Sequence, residues 1–338
     1  MLGEFDLIGL LRERIEAAGA ITNDQVVVGS GDDAAVVEPR GTSVTSVDAL
    51  VDGVHFRRST FPPDAIGHKA LVVALSDLAA MGAQPGEAYV QLGVPEEISE
   101  DELAGIADGL GAAANEYGVS VAGGDVVASP VLFLAITVVG YVGEGAPHVT
   151  RAGAKEGDVL LLTGPVGGAA AGLLLLEDEA LASKIDAARA GALRDRQLRP
   201  RARTSAGLAL ARCGARAMID VSDGIGADAG HVAAASGARC VVELDAGSIA
   251  DGVAVVAEAV GEDPLALASR GEDYELFAAV PPERAEEALE AVRRTASNPA
   301  LVGRVEAGEG VVLRGPTGRE VSDGGFDQLR SPARGEPT

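Results

Sequence analysis

Apolar residues near the N-terminus recur at three- and four-residue spacings (Phe5, Leu7, Ile8, Leu11, Ile15), which predicts an amphipathic helix over 4–20 ended by Gly19. The pattern then shortens. Gln25 to Gly29, Ala34 to Glu38 and Ser43 to Val47 are short β-branched runs divided by Gly31-Asp32-Asp33 and Pro39-Arg40-Gly41, the signature of strands joined by turns. A nearly unbroken apolar stretch predicts a helix over 64–81, stopped by Gly82 and Pro85. A strand at 88–94, a helix at 99–117, a strand at 119–122 and a long strand at 131–142 complete the unit. The expectation is a mixed sheet with helices packed on one face, an antiparallel hairpin at its front, and acidic loops at Asp32-Asp33 and after Val47 facing the same edge.

Beyond a linker at 143–148 the pattern restarts. Strands are predicted at 158–162, 217–221, 240–244, 274–280, 301–305 and 310–313, and helices at 168–176, 183–193, 201–213 and 226–235. The fold class is α+β, in two α+β domains spanning 1–146 and 147–330, with a frayed tail at 331–338. No repeat of fixed period is present.

Composition narrows the function classes. Of 338 residues 47% are hydrophobic, so both domains can bury a core, and disorder is excluded. A formal net charge of −24 repels nucleic acid and anionic membranes, so neither is expected as a partner. The two cysteines, Cys213 and Cys240, form no C-x-x-C, which points to a reducing, cytoplasmic setting. The longest apolar runs fall well short of the ~20 residues of a membrane span.

The lysines are Lys69, Lys155 and Lys184, none in a P-loop, so a Walker site is excluded. Gly164-Pro165-Val166-Gly167-Gly168, between a strand and a helix, is either a structural turn or a phosphate contact. More informative are aspartates set beside glycines or strand ends: Asp32-Asp33, Asp48, Asp125, Asp220, Asp223 and Asp273. Asp77 interrupts the apolar stretch from Ala70 to Met81, so it either meets a metal, a cation or donors, or lies on the wet stripe of its helix. Carboxylates with almost no lysine suit a hard divalent cation, Mg²⁺, whose remaining positions take phosphate oxygens. His55, His68, His148 and His231 lack zinc spacing.

Five ordered motifs then resemble the thiamine-monophosphate kinase family. They are Gly31-Asp32-Asp33-Ala34-Ala35, Ser46-Val47-Asp48 through Phe56, Lys69 to Ala83, Ile219-Asp220-Val221-Ser222-Asp223-Gly224 and Gly271-Glu272-Asp273-Tyr274-Glu275-Leu276. The resemblance implies the aminoimidazole-ribonucleotide-synthetase-like fold, with the N-terminal sheet pairing across a homodimer. It implies metal ligands at Asp33, Ser46, Asp48, Asp77, Asp125, Asp220 and Asp223, with Val47 contributing through its backbone if at all. It further implies ATP contacts at Gly124, Asp125, Arg151 and Ser222, and substrate contacts at His55, Glu272 and Phe326.

Two departures accompany the resemblance: Val126 stands where a Thr is common in the family, and Phe326 where many relatives carry Trp or Tyr. Selenophosphate synthetases differ in using an N-terminal Cys or selenocysteine, whereas the first cysteine here is Cys213. The implied activity is ATP- and Mg²⁺-dependent conversion of thiamine monophosphate to thiamine diphosphate. A non-catalytic nucleotide-binding module is the reading of another class.

Overall fold

The computed structural model describes residues 3–20, 23–318 and 320–321. They divide into two units, one of residues up to 78 with 83–146, the other of 79–82 with those from 147 onward. Phe326 and the tail at 331–338 lie outside the described residues. No described helix is long and apolar enough to cross a membrane.

In the first unit, helix α1 (Glu4–Ala17) precedes strands β1 (Val26–Val28) and β2 (Val36–Val37). These two strands form a sheet of their own, so the front hairpin does not extend the larger sheet as expected. Strand β3 (Thr42–Val51), helix α2 (Pro63–Ala80), strand β4 (Gln84–Val94), helix α3 (Glu100–Tyr117) and strands β5 (Ser120–Ala128) and β6 (Phe133–Val142) follow. The sheet order is β3-β6-β4-β5, with β4 and β5 parallel and the other pairs antiparallel, a mixed sheet. Helix α3 starts on a capping box: the Ser99 hydroxyl accepts the Glu102 N–H at 3.2 Å, and the Glu102 carboxylate accepts the Ser99 N–H at 3.0 Å. That N–H first, and Arg58 next, hold the Glu102 carboxyl below its ordinary range.

Two strands run further than their sequence signals. β3 continues through Asp48 to Val51 and β5 through Asp125 to Ala128, so neither aspartate stands in a loop. Period-two alternation explains the first: Ser46, Asp48 and Leu50 share one face, aligned with buried Val138, Ile136 and Leu134 of β6. The second depends on Gly124, where a Cβ would lie 2.1 Å from the Val90 carbonyl oxygen, so only glycine lets β5 lie this close to β4.

The second unit contains β7 (Val159–Leu162), α4 (Gly168–Glu177), α5 (Glu179–Ala182), α6 (Ala187–Leu198), α7 (Thr204–Arg212), β8 (Ala217–Asp220) and α8 (Ile225–Ser236). After them come β9 (Arg239–Glu243), α9 (Val253–Val260), α10 (Pro264–Ala268), β10 (Leu276–Val280), α11 (Ala285–Arg293), β11 (Ala300–Glu306), β12 (Gly310–Arg314) and β13 (Glu320–Val321). Its sheet has the order β13-β12-β9-β11-β7-β10-β8. Leu160, Leu162, Ile219 and Phe277 of this sheet join Ala171, Val232 and Val256 of the helices in one core. The helix expected over 183–193 starts at Ala187 because the Asp186 carboxylate accepts the Arg189 N–H at 3.1 Å and so caps it.

Candidate functional site

Of the residues singled out in the first unit, the structure joins Ser46 and Asp77. The Ser46 hydroxyl donates to Asp77 Oδ2 across the gap between β3 and α2. The misfit in the apolar helix is thereby resolved: Asp77 is half-buried, and a hydroxyl from the sheet meets it. Asp48, two residues along the same face, is also half-buried, and one of its oxygens takes the Ala49 N–H at 2.7 Å. Val47 faces the other way, with 66% of its surface exposed. Asp33 lies exposed in a bend, its N–H donating to Asp32 Oδ1 at 2.8 Å. His55 follows β3, and its Nδ1 accepts the Val51 N–H at 3.1 Å.

Asp125 is not gathered with Asp48. The register aligns Asp48 with Ile136, Val90 and Gly124, whereas Asp125 aligns with Gln91, Ala135 and Ala49. The two aspartates therefore occupy opposite faces and the two edge strands, three strand spacings or about 14 Å apart. Gly124 and Asp125 border a cavity of about 80 Å³ whose walls include Ile8, Leu11, Leu110 and Leu134, with Arg12 beside them.

In the second unit β8 ends at buried Asp220, and the turn through Ser222, Asp223 and Gly224 starts α8. Asp228, in the first turn of α8, accepts the Asp223 N–H at 3.1 Å. Ligand atoms of Asp223, Asp228 and His231 all lie within 4.8 Å of one another. Burial first, then the charges of Asp220 and Asp223, push the Asp228 carboxyl up to about 8. Oxygen donors crowded in this way suit a hard cation, which would relieve the repulsion.

Backbone hydrogen bonds zip this turn to the Gly271–Glu275 segment. Val221 N–H donates to the Glu275 carbonyl at 2.7 Å, Tyr274 N–H to that of Val221 at 2.9 Å, and Glu272 N–H to that of Ser222 at 2.8 Å. Gly271 has φ +81°, and a Cβ there would stand 2.1 Å from the Ser222 oxygen. Glu272 and Tyr274 are held at φ +62° and +52°, a left-handed backbone that non-glycine residues adopt at a cost of about 1–3 kcal/mol each. Ser222 and Glu272, which the resemblance implies as nucleotide and substrate contacts, are thus brought side by side.

The neighbouring acids have fixed structural partners. Buried Asp273 accepts the N–H groups of Gly167 at 2.6 Å and Ala169 at 3.1 Å. Two donors at the start of α4 are therefore already taken by a carboxylate, which favours the structural turn at Gly164–Gly168. Burial, partly offset by those two donors, lifts the Asp273 carboxyl to about 6. Glu275 is gripped by Arg203, whose Nε and Nη2 donate at 2.8 and 2.6 Å, and by the Thr163 hydroxyl at 2.7 Å.

Arg151 is exposed on a loop anchored by Ser236, whose Oγ accepts the N–H groups of Gly153 at 3.2 Å and Ala154 at 3.1 Å. Ser236 is the last residue of α8, whereas Asp223 precedes the first, so the anchor and the carboxylates sit at opposite ends of a helix about 18 Å long. Sequence reasoning missed Asp228, Ser236 and Arg203. Asp228 alone left a readable signal: like Asp77, it falls on an apolar helical stripe, with Ile225, Ala229 and Val232.

Residues 31–142 match the AIR synthase related protein, N-terminal domain, and residues 155–315 the corresponding C-terminal domain. Thiamine-monophosphate kinase of Mycobacterium tuberculosis is 38% identical, over 82% of this chain and 80% of that protein. The Escherichia coli enzyme of the same name is 38% identical over 82% of this chain and 83% of its own length. A solved structure of AaThiL complexed with AMPPCP and TMP superposes with a TM-score of 0.72 at 32% identity, covering 96% of each chain. The crystal structure of thiamine-monophosphate kinase from Stenotrophomonas maltophilia gives 0.79 at 36% identity, over 89% of this chain and 95% of that one. The chain belongs to the thiamine-monophosphate kinase family.

Proposed function

We propose that this member of the family transfers the γ-phosphoryl group of ATP to the phosphate of thiamine monophosphate, giving thiamine diphosphate and ADP. The observation that carries the reading is the likeness, over 96% of the chain, to a relative complexed with AMPPCP and TMP. Asp33, Ser46, Asp48, Asp77, Asp125, Asp220 and Asp223 would hold Mg²⁺, with Val47 beside them. Their donors are carboxylate and hydroxyl oxygens, the set a hard cation takes. When bound, Mg²⁺ supplies the charge neutralisation that lets two phosphates approach.

The protein's own groups do the positioning. Gly124, Asp125 and Ser222 line the nucleotide, and Arg151 takes residual phosphate charge. His55, Glu272 and Phe326 contact the acceptor. Since the attacking oxygen belongs to a phosphate already ionised near neutral pH, no general base is required, and His55 serves as a substrate contact. The transfer is direct and in line, without a phosphoenzyme.

A homodimer completes this reading. Asp48 and Asp125 stand on opposite faces of one sheet, and a second copy packed on the face that carries Val47 and Asp125 would bring further carboxylates to that edge. β6 lies inside the sheet, so pairing would be face to face through its outward residues. A cytoplasmic setting accords with the buried free thiols Cys213 and Cys240.

The test is product chromatography after incubation with Mg-ATP and either thiamine monophosphate or free thiamine. Conversion of the monophosphate alone is expected. Equal conversion of thiamine overturns the acceptor, and absence of ADP release with either compound returns the chain to a nucleotide-binding module. Light scattering should report about twice 34.0 kDa.

A further inference from the structure

The three acids of the Gly271–Glu275 segment are held very differently. Asp273 has two backbone donors, and Glu275 has an Arg and a Thr. Glu272 instead meets a neutral amide: Gln197 Nε2, near the end of α6, donates to Glu272 Oε2 at 2.8 Å. Gln197 is only 1% exposed, and its Oε1 is buried with no hydrogen-bond partner. Turning the amide over does not help, because Oε1 would then face a carboxylate oxygen. The amide is thus fixed with one end on Glu272 and an acceptor left over, whereas among the described residues buried acceptors are otherwise mostly matched.

We propose that Gln197 is a positioning residue of the acceptor site: one end of its amide orients the Glu272 carboxylate, and the other takes an N–H of the bound acceptor. The inference rests on the reading that Glu272 contacts that acceptor. The donor class is an amine on a heteroaromatic ring, which thiamine monophosphate carries on its pyrimidine. Several features prepare the arrangement before any ligand arrives. The left-handed backbone at Glu272 is tied to Ser222, and Arg196, the neighbour of Gln197, donates to the Pro165 carbonyl at 2.9 Å and so anchors the last turn of α6.

Steady-state kinetics of the full chain test this, with thiamine monophosphate and with an analogue whose pyrimidine amine is replaced by a carbonyl. Gln197→Met keeps length and burial while removing both polar ends. It should raise KM for thiamine monophosphate by about five- to tenfold, the scale of one hydrogen bond between neutral groups, and leave KM for ATP unchanged. It should also narrow the preference for the natural acceptor over the carbonyl analogue. A purely structural role would instead lower kcat and the melting temperature without separating the two substrates.

Gln197→Asn, whose amide is one methylene too short, gives the same reading if the Met variant does not fold. An acceptor KM within about twofold of wild type in the folded variants, while Glu272→Gln raises it, overturns the proposal and leaves the substrate reading intact. If Glu272→Gln also leaves that KM unchanged, the reading of Glu272 falls and the proposal with it.

Discussion

Asp77 and Asp228 carry the same sequence signature, an aspartate on an apolar helical stripe, yet the folded chain treats them in opposite ways. Asp77 is half-buried and receives a hydroxyl from Ser46 on the strand beneath its helix. Asp228 is fully buried among like charges, and its carboxyl is pushed up to about 8. The first neighbourhood rests on regular elements, a strand face and a helix face set by periodicity. The second is a turn, tied by backbone bonds to a strained segment whose remaining acids are held by Arg203, Thr163 and the start of α4. A polar residue on a helical stripe thus marks a place where charge must be compensated, but the means of compensation comes from the other elements that meet there.

The sharpest way to break the second neighbourhood is through its ion pair. Arg203→Leu leaves Glu275 buried without its cation, so chemical denaturation should show a loss of about 3–5 kcal/mol. A loss below about 1 kcal/mol would mean that the segment is held by its backbone alone.

The first neighbourhood should respond in activity more than in stability. Asp77→Asn keeps shape and removes charge, so turnover should fall by about 10²-fold or more, at least the effect of residues that merely support a metal site. Its metal-free melting temperature should rise or barely fall. Full activity at ordinary Mg²⁺ would leave Asp77 with the structural role of accepting the Ser46 hydroxyl and no role at the metal.

The pH dependence tests Asp228. Because the Asp228 carboxyl is raised from 3.8 to about 8, the folded state binds more protons than the unfolded chain between those values. The contribution of this group to metal-free stability is therefore full below about pH 4 and declines as pH rises towards about 8, by at most about 1.4 kcal/mol per pH unit. In calorimetric scans, Asp228→Asn should flatten this decline and added Mg²⁺ should reduce it. An unchanged slope in the variant would mean that other groups set it.

Ser46→Ala should give the smallest effect. It removes the donor to Asp77 and should cost about 1–3 kcal/mol as a hydrogen bond to a charged group, read by thermal melts. A larger fall in activity than in Asp77→Asn would reverse the order of importance between strand and helix.

Much of the fold was legible from local pattern. The pattern placed a helix over 99–117 where α3 lies, the apolar run over 70–81 defined α2, and Asp77 stood out because nothing else in that run was charged. Five ordered motifs pointed to the family, because side chains that must share one chemistry are constrained in type wherever they fall along the chain. The ends of β3 and β5 were not legible, since polar residues such as Asp48 and Asp125 hide strands whose continuation depends on a neighbour's free hydrogen bonds.

The sequence by itself determined which stripes must be buried and where the chain breaks between elements, because these follow from patterns within a few residues. Only the tertiary structure decided that Ser46 meets Asp77, that Asp273 caps the Gly167 turn, that Gln197 meets Glu272, and that Asp48 and Asp125 part to opposite faces. Those partners lie 31 to 106 residues apart, and register and crossing geometry, which no local pattern encodes, choose among the many pairings the same residues allow.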